Sequence, residues 1–471
     1  MAKKFPDFQN FGEFLYYAYA NLQMLHYALK DGKPRYDRMC YMIRAKAFKA
    51  YKEGCWNIND LFEFNYKPTD MKNKLDSLRS ILLVIALLLT LSARAQLGRY
   101  NADIRALPQD FTDTISVEWE RDQVYVPVTA GGRTYHFLLD TGAGQAVVFG
   151  GSPLADAPRV SSLLSRDAAG NIDTVSVVQL PPLKLGRTTL YNCQATVQQR
   201  GVGARSIDGI LGFDLVNSGL SLKLDMQSKQ LIISDRECCF DKEQAEACMK
   251  YTLSYHVPYV DIIPFGRKRE RVLFDTGSRN FFSMNINHFN DAEEQRHRFD
   301  RPYRVEGRAM GRHAIGHGGT EPMGEVVFLR LDSLGMGDCS FKDVHAITTQ
   351  GGSHLGARLL RYGTVAFCPR HSRLFFHPYE GLTTSVNNRQ IDIAFIADAM
   401  GRPQVGLVWP QGTPYYQGFR QGDVIEQIDG RPVRSLVQFV TWPFERGREY
   451  VFTVRSADGR RHEIKWIRVP Q

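Results

Sequence analysis

The sequence predicts a mainly β protein made of two similar lobes, followed by a small domain that combines strands and helices. From Thr114 onward, short runs of apolar and β-branched residues alternate with Gly, Asn and Asp, a pattern typical of strands joined by tight turns. One set of motifs then occurs twice, which indicates a duplicated structural unit. Past Tyr379 the pattern changes to closely spaced Gly-Asp and Asp-Gly turns, which indicates a separate C-terminal domain.

The repeated motif joins an apolar run to the tripeptide Asp-Thr-Gly. The first copy reads Phe-Leu-Leu-Asp-Thr-Gly-Ala-Gly over residues 137–144, and the second reads Val-Leu-Phe-Asp-Thr-Gly-Ser over residues 272–278. A buried strand holds the residue at its end in a fixed place. Each lobe is therefore expected to present one carboxylate, Asp140 or Asp275, where the two lobes meet.

This ordered set of motifs resembles the two-lobed aspartic proteases of the pepsin and retropepsin type. The triplet Ile-Leu-Gly, ending at Gly212, follows the first Asp-Thr-Gly copy, and His-Leu-Gly, ending at Gly356, follows the second; the resemblance covers about residues 124–377. It implies an acid protease fold with pseudo-twofold symmetry, Asp140 and Asp275 as the catalytic pair, and the two glycines as structural turns. The alternatives are two unrelated β-turns in an all-β protein, or the aspartate of a phosphatase or ATPase. Those enzymes use α/β units, which neither lobe shows.

The expected chemistry is hydrolysis of a peptide bond by the two aspartates. Carboxyl groups held close together share one proton, and their apparent pKa values separate. The ionised member then takes a proton from a water molecule, while the protonated member hydrogen-bonds the scissile carbonyl. This chemistry requires no metal and no cofactor, and the sequence does not tell which aspartate carries the proton.

Five residues of the two motifs are expected to support the catalytic pair: Thr141, Gly142, Thr276, Gly277 and Ser278. The glycines allow the backbone to approach the carboxylates and to donate N–H groups to them. The resemblance implies that the threonine hydroxyls brace the two loops against each other. Ser278 offers a hydroxyl that Ala143 lacks. Because a lost donor raises the pKa of a carboxyl group, we expect a less acidic working pH than that of an enzyme with Ser in both motifs.

A flap, the hairpin that closes over substrate in the resembled family, is expected at the turn formed by Asp167, Ala168, Ala169, Gly170 and Asn171. The corresponding tip in the second lobe spans residues 311–319 and contains His313 and His317. Together with His354, these histidines suggest a metal site, but no Cys or carboxylate stands at ligand spacing. We therefore expect the histidines to be solvated and no metal to be bound.

The net charge of +9 does not indicate a nucleic-acid-binding protein. Most of this charge lies in residues 1–95, and the rest of the chain has no Lys and Arg cluster large enough to follow a phosphate backbone. Residues 1–70 are aromatic-rich and basic, and no motif in them indicates a role.

Residues 71–95 have the three parts of a secretory signal peptide. A basic lead-in starts at Met71, an apolar run fills residues 81–91, and Ala-Arg-Ala ends at Ala95. The apolar run is short for a membrane span, which needs about 20 residues. Either Met71 is the initiator and residues 1–70 are an upstream artefact, or an internal anchor leaves them in the cytoplasm; we favour the first. The protein is then exported by a bacterium to the periplasm or the exterior, with no stable membrane span after cleavage.

Six cysteines follow the signal peptide: Cys193, Cys238, Cys239, Cys248, Cys339 and Cys368. None of them stands in the Cys-x-x-Cys spacing of a zinc site. An exported protein can form disulfides, and either Cys238 or Cys239 would close a short loop with Cys248. Free buried thiols are an equal expectation for the other three.

The C-terminal domain resembles a PDZ domain over about residues 388–470. The most specific part is Gly-Asp-Val-Ile-Glu-Gln-Ile-Asp-Gly at residues 422–430. The resemblance implies that an extended peptide binds by adding a strand to a sheet edge. The candidate groove residues are Asn388, Arg389, Gln390, Ile391 and Ile393. The alternative is a groove that is blocked, or that serves only to dock onto the lobes.

These observations divide the 471-residue chain into seven segments. They are an N-terminal extension of unknown role (1–70), a signal peptide (71–95), a linker or short propeptide (96–113), the first lobe (114–236), an inter-lobe linker (237–249), the second lobe (250–379) and the PDZ domain (388–470).

The predicted function is that of an aspartic endopeptidase that acts on proteins or peptides, with the PDZ domain binding or presenting substrate. One chain supplies both lobes, so a monomer suffices for catalysis. The alternative is a non-catalytic peptide-binding protein that keeps the protease fold and the PDZ groove. The sequence does not define the substrate preference.

Overall fold

In the computed structural model, the described part of the chain is mainly β and belongs to one compact unit. The described residues are 103–166, 172–199, 206–236, 239–240, 247–266, 268–295, 303–316 and 319–468. The predicted N-terminal extension, signal peptide and flap turn at residues 167–171 lie outside them.

The first half of the described chain, residues 103–236, forms one large twisted sheet and part of a second. Its strands are Arg105–Leu107 (β1), Thr112–Ser116 (β2), Glu118–Glu120 (β3), Gln123–Ala130 (β4), Arg133–Leu139 (β5), Ala146–Phe149 (β6), Arg159–Arg166 (β7), Ile172–Gln179 (β8), Leu183–Leu185 (β9), Thr188–Tyr191 (β10), Gln194–Gln198 (β11), Gly209–Leu211 (β12), Ser221–Asp225 (β13) and Gln230–Ser234 (β14). A 3₁₀ helix at Pro153–Asp156 and the helix Asp214–Asn217 (α1) connect them. The large sheet has the order β1-β10-β9-β4-β5-β12-β6-β11-β8-β7, with β3 beside β4.

The second half, residues 247–385, forms another large sheet. Its strands are Ala247–Lys250 (β15), Thr252–Ser254 (β16), Val257–Phe265 (β17), Lys268–Asp275 (β18), Phe282–Asn285 (β19), Tyr303–Gly311 (β20), Ile315–Gly316 (β21), Gly319–Thr320 (β22), Gly324–Met336 (β23), Cys339–Thr349 (β24), His354–Gly356 (β25), Gly363–Cys368 (β26), Arg373–Pro378 (β27) and Thr383–Ser385 (β28). The helix Ile286–Glu294 (α2) follows β19, and a 3₁₀ helix at Ala357–Arg361 follows β25. The sheet order is β16-β17-β18-β25-β19-β24-β23-β20, with β28 beside β24.

A third sheet joins the two halves, in the order β15-β27-β26-β13-β14-β2. Strand β13 of the first half pairs antiparallel with β26 of the second half, with Leu222 opposite Phe367. Strand β1 pairs with β10, and β2 already begins at Thr112. Part of the segment predicted as a linker or propeptide is therefore built into the sheets.

The same two parallel pairings recur in both halves. Strand β12 runs parallel to β5, as β25 does to β18, and β11 runs parallel to β6, as β24 does to β19. The glycines that follow β12 and end β25 sit where chain segments cross closely. A Cβ atom at Gly212 would lie 2.7 Å from the carbonyl oxygen of Ala143, and one at Gly356 would lie 2.2 Å from that of Asn280. Only glycine fits such a crossing without displacing the backbone.

The C-terminal domain, residues 388–468, has its own sheet and its own core. Its strands are Ile393–Ala397 (β29), Pro403–Val408 (β30), Val424–Ile428 (β31), Arg431–Pro432 (β32), Glu449–Arg455 (β33) and Arg461–Ile467 (β34), in the order β29-β30-β31-β33-β34 with β32 beside β31. Its helices are Thr413–Gln417 (α3) and Leu436–Val440 (α4). Buried side chains such as Ile425, Phe452 and Trp466 form the core.

Cys239 and Cys248 form no disulfide with each other, and Cys238 lies outside the described residues. The thiols of Cys193, Cys339 and Cys368 are buried and form no disulfide. Within the described ranges, no helix has the length and apolar character needed to cross a membrane.

Candidate active site

The two aspartates lie at the ends of corresponding strands. Asp140 directly follows β5, and Asp275 is the last residue of β18. Apolar residues of these strands, among them Phe137 and Phe274, are fully buried and fix the direction in which each strand ends. Both aspartates are half-buried, and their carboxyl groups hydrogen-bond to each other. The structure thus brings the two predicted site residues together.

Each carboxyl group accepts backbone N–H groups from its own loop. Gly142 N donates to Asp140 Oδ1 at 2.8 Å, and Gly277 N donates to Asp275 Oδ1 at 2.9 Å. Ser278 N also donates to Asp275 Oδ1, at 3.2 Å. These donors hold each carboxyl group in one orientation and favour its ionised form.

The two motif glycines face the carboxyl group of the other motif. A Cβ atom at Gly142 would lie 2.7 Å from Asp275 Cγ, and one at Gly277 would lie 2.5 Å from Asp140 Oδ2. Both distances are shorter than any real Cβ contact, so a side chain at either position would push the carboxyl groups apart. The glycines are needed for the close approach of the two loops.

The threonines that follow the aspartates brace the two loops against each other. Thr141 Oγ1 donates to the carbonyl of Phe274 at 2.6 Å, and Thr276 Oγ1 donates to the carbonyl of Leu139 at 2.8 Å. Each hydroxyl also accepts the backbone N–H of the other threonine, at 3.1 and 2.9 Å. Both threonines are buried, so these four hydrogen bonds are shielded from water.

The pKa values of both carboxyl groups are raised. Burial raises the pKa of Asp140 well above its ordinary value, and the neighbouring Asp275 raises it further. Burial also raises the pKa of Asp275, while the hydrogen bonds from Asp140, Gly277 and Ser278 act in the opposite direction. The pair therefore retains a proton at a pH where separate, exposed aspartates would both be ionised.

A polar network beside the second motif was not predicted from the sequence. Gln123, the first residue of β4, donates its side-chain N–H to the carbonyl of Gly277 at 3.2 Å. Its Oε1 accepts from Arg279 Nε at 2.9 Å and Nη2 at 2.6 Å, and from the Tyr125 hydroxyl at 2.9 Å. This network connects the first half of the chain to the loop that carries Asp275. Arg279 follows the second motif directly, which was the available signal in the sequence.

A second contact that was not predicted from the sequence involves Asp122, the residue before Gln123. The buried Asp122 forms ion pairs with Arg358, at 3.0 Å, and with Arg361. Both arginines belong to the 3₁₀ helix after β25. The ion pairs hold the turn between β3 and β4 against the second half of the chain.

The hairpin tip at residues 311–319 differs from its prediction. His313 is almost fully buried beside the buried Glu321, whose carboxylate accepts the backbone N–H groups of His313 and Ala314. The prediction of a solvated histidine is therefore wrong for His313, because a buried carboxylate organises the tip around itself. His354 is half-buried, and His317 lies outside the described residues. Across the described ranges, no three His, Cys, Asp or Glu side chains converge as metal ligands would.

The candidate groove residues of the C-terminal domain contact the second half of the chain. The side chain of Asn388 exchanges two hydrogen bonds of 2.8 Å with the backbone of His345, and Gln390 Nε2 donates to Glu306 at 3.1 Å. Ile391 packs beside a buried apolar cluster formed by Val326, Phe328, Ile347 and Leu407. Ile393 belongs to the core of the C-terminal domain. Asn388, Gln390 and Ile391 therefore join the domain to the sheet of the second half and do not outline a free loop, because the polar groups of Asn388 and Gln390 find partners on β24 and β20.

Comparison with known proteins gives one result on this site. No curated protein sequence matches the chain. A family model described as aspartyl protease matches residues 126–215, a segment that includes Asp140 and Gly212 and ends before the second motif. This match supports an aspartyl protease domain in this part of the chain and indicates a peptidase.

Proposed function

We propose that the protein is an aspartic endopeptidase whose two lobes, related by a pseudo-twofold axis, contribute Asp140 and Asp275 to one active site. The observation that carries the proposal is the pair of hydrogen-bonded, half-buried carboxyl groups, each facing the glycine of the other motif. The raised pKa values support a pair that holds a single proton. The family match around Asp140 supports the same reaction class.

In the proposed mechanism, the pair acts as a base and an acid in turn. The ionised carboxylate removes a proton from a water molecule, whose oxygen attacks the scissile carbonyl carbon. The protonated carboxyl group hydrogen-bonds the carbonyl oxygen and gives up its proton as the tetrahedral gem-diol forms. The C–N bond then breaks as the carboxyl group that holds the water's proton passes it to the amine nitrogen. One hydroxyl of the diol gives its proton to the other carboxylate and becomes the new carbonyl oxygen, so the pair ends singly protonated. The N–H groups of Gly142 and Gly277 keep both carboxyl groups oriented throughout.

We propose that the C-terminal domain is a PDZ domain that binds or presents peptide. Strand β29 lies at the edge of its sheet, and within the described residues it pairs only with β30. A peptide strand can add to such an edge. Phe395 of β29 and Phe439 of α4 pack with ring centroids 4.5 Å apart, which joins the edge strand to the helix beside it. The sequence of residues 71–95 supports export as the setting in which the protein acts.

The test is cleavage of a denatured protein by the purified chain, with and without pepstatin, across acidic to neutral pH. We expect pepstatin-sensitive hydrolysis that both Asp140→Asn and Asp275→Asn abolish. The competing function is a non-catalytic peptide receptor. It predicts that the wild-type chain binds peptides without cleaving them, and that both variants bind equally well.

A further inference from the structure

We propose that Arg279 makes the enzyme selective for substrates with an acidic residue close to the scissile bond. The inference rests on the proposed protease function and specifies its substrate class. Its basis is a guanidinium group fixed beside the second Asp-Thr-Gly motif, with no carboxylate partner among the residues that the structure describes.

Only part of the Arg279 guanidinium group is held by hydrogen bonds. Its Nε and Nη2 atoms both donate to Gln123 Oε1, at 2.9 and 2.6 Å. The same amide donates to the carbonyl of Gly277, the glycine whose Cα faces the Asp140 carboxyl group. The guanidinium group is thus held, through Gln123, beside the loop that carries Asp275, and its Nη1 atom makes no hydrogen bond within the described residues.

The charge of Arg279 is not neutralised by the residues around it. An amide oxygen accepts hydrogen bonds but carries no net charge, and within the described ranges no carboxylate forms an ion pair with Arg279. The neighbouring Arg358 and Arg361 differ, because both are paired with Asp122. Arg279 is half-buried, so water screens its charge only in part. A planar, half-buried guanidinium group with open donors favours a carboxylate ligand.

The two Asp-Thr-Gly motifs differ in whether a cationic side chain follows them. The residue that follows Ala143 in the first motif is Gly144, whereas Arg279 stands at the corresponding place after Ser278. The first motif therefore offers no side chain where the second offers a cation. We expect the acidic preference on one side of the scissile bond only.

The experiment compares pairs of peptides that differ only by Glu or Gln at one position near the cleavage site. For the wild-type protein we expect kcat/KM to be about tenfold or more higher for the Glu peptide at one position on one side. The ratio of kcat/KM for the Glu peptide to kcat/KM for the Gln peptide should fall to one as the pH drops below the pKa of the peptide Glu, about 4.3, because the Glu side chain then loses its charge. The Gln peptide cancels the pH dependence of the enzyme itself.

Three variants assign the preference to Arg279. Arg279→Gln should bring the Glu-to-Gln ratio of kcat/KM close to one. Arg279→Glu should lower this ratio below one and should favour a third peptide that has Lys at the same position. The matched control is Arg460→Gln, which removes the same charge from an exposed turn of the C-terminal domain and should leave the ratio unchanged. Because each ratio is taken within one variant, it stays interpretable if overall activity falls.

The possible outcomes separate this inference from the proposed function. If the wild-type protein cleaves no peptide, the protease function itself is overturned. If it cleaves Glu and Gln peptides equally at pH values above 5, or if Arg279→Gln keeps the wild-type ratio, the selectivity is overturned and the protease function stands. An inactive Arg279→Gln variant leaves the wild-type pH dependence to decide: a ratio that does not change near the pKa of Glu contradicts the inference.

Discussion

At the scale of single residues, the carboxyl groups of Asp140 and Asp275 are held in an environment that favours the protonated form. Burial opposes ionisation of both, the nearby Asp275 also opposes ionisation of Asp140, and hydrogen bonds to the ionised forms compensate only in part. A carboxyl group with a raised pKa binds its proton more tightly in the folded chain than in the unfolded one. The pair therefore lowers the stability of the fold as the pH rises from the unfolded value of 3.8 through the folded pKa.

We predict that Asp140→Asn stabilises the fold at neutral pH, because asparagine cannot ionise. The gain relative to wild type is about 1.4 kcal/mol for each unit by which folding raises the pKa. It should disappear below about pH 3, where the wild-type carboxyl groups are protonated in both states. Denaturant unfolding at several pH values measures the effect. A variant that is less stable than wild type at pH 7 would contradict the pKa assignment.

The second residue-scale prediction concerns Ala143. Ala143→Ser adds a hydroxyl donor next to Asp140, which favours the ionised form and lowers its pKa. The alkaline limb of the pH–activity profile should then move to lower pH, by roughly one unit or less. Ala143→Cys is the control, because a thiol is a weak donor and should produce a smaller shift. An unmoved profile for Ala143→Ser would exclude this explanation of the working pH.

The residues of the site differ in how far the sequence predicts them. Asp140, Asp275 and the residues next to them stand in one local motif whose strand and turn form from adjacent residues, so their positions follow from a short stretch of sequence. Gln123 and Arg279 are 156 residues apart, and no local pattern indicates that they meet. The buried Glu321 is likewise recognised only in the fold, because its partners His313 and Thr349 come from separate strands and loops.

At the scale of elements, the site depends on two loops that are joined by buried hydrogen bonds. The strands that lead into the two motifs could be predicted, since apolar runs and glycine turns mark β5 and β18. The pairing of β13 with β26 could not be predicted from the sequence, because it joins residues about 140 positions apart and depends on both halves being folded.

We predict that Thr141→Val destabilises the chain. Valine has the same shape but leaves the carbonyl of Phe274 and the N–H of Thr276 without the hydroxyl that they bond. Each unsatisfied buried group costs about 1–3 kcal/mol. Thr141→Ser is the control, since it keeps the hydroxyl and should lose about 1 kcal/mol or less. Denaturant unfolding measures both variants, and equal stability of the valine and serine variants would refute the bracing role.

At the scale of the whole molecule, the C-terminal domain is held against the hairpin formed by β20 and β23. Arg312 N donates to the carbonyl of Gly406 at 2.9 Å, and Trp409 Nε1 donates to the carbonyl of Glu306 at 3.2 Å. This arrangement links the domain to the hairpin whose tip is the predicted second flap. The sequence indicated the domain through its turns, but its contact surface depends on residues dispersed over β20, β23 and β24.

We predict that Gly406→Ala weakens this contact. The new Cβ would lie 2.5 Å from the carbonyl oxygen of Arg312, so β30 and the segment that follows β20 must move apart. The unfolding free energy should fall by about 1–3 kcal/mol, and peptidase activity should fall because the hairpin loses its support. Gly352→Ala is the control, because a Cβ there meets open space. Unchanged stability and activity of Gly406→Ala would show that the contact has no role in holding the hairpin.

The most direct measurement of the central claim is kcat/KM for one fluorogenic peptide, with the wild-type protein, Asp140→Asn, Asp275→Asn and the double variant. Residues that act as one catalytic unit lose almost everything on the first replacement. We predict a loss of about 10⁴-fold or more in each single variant, and no further loss in the double variant. If either single variant retained more than about a tenth of the wild-type value, or if the two losses multiplied, Asp140 and Asp275 would not form one catalytic pair.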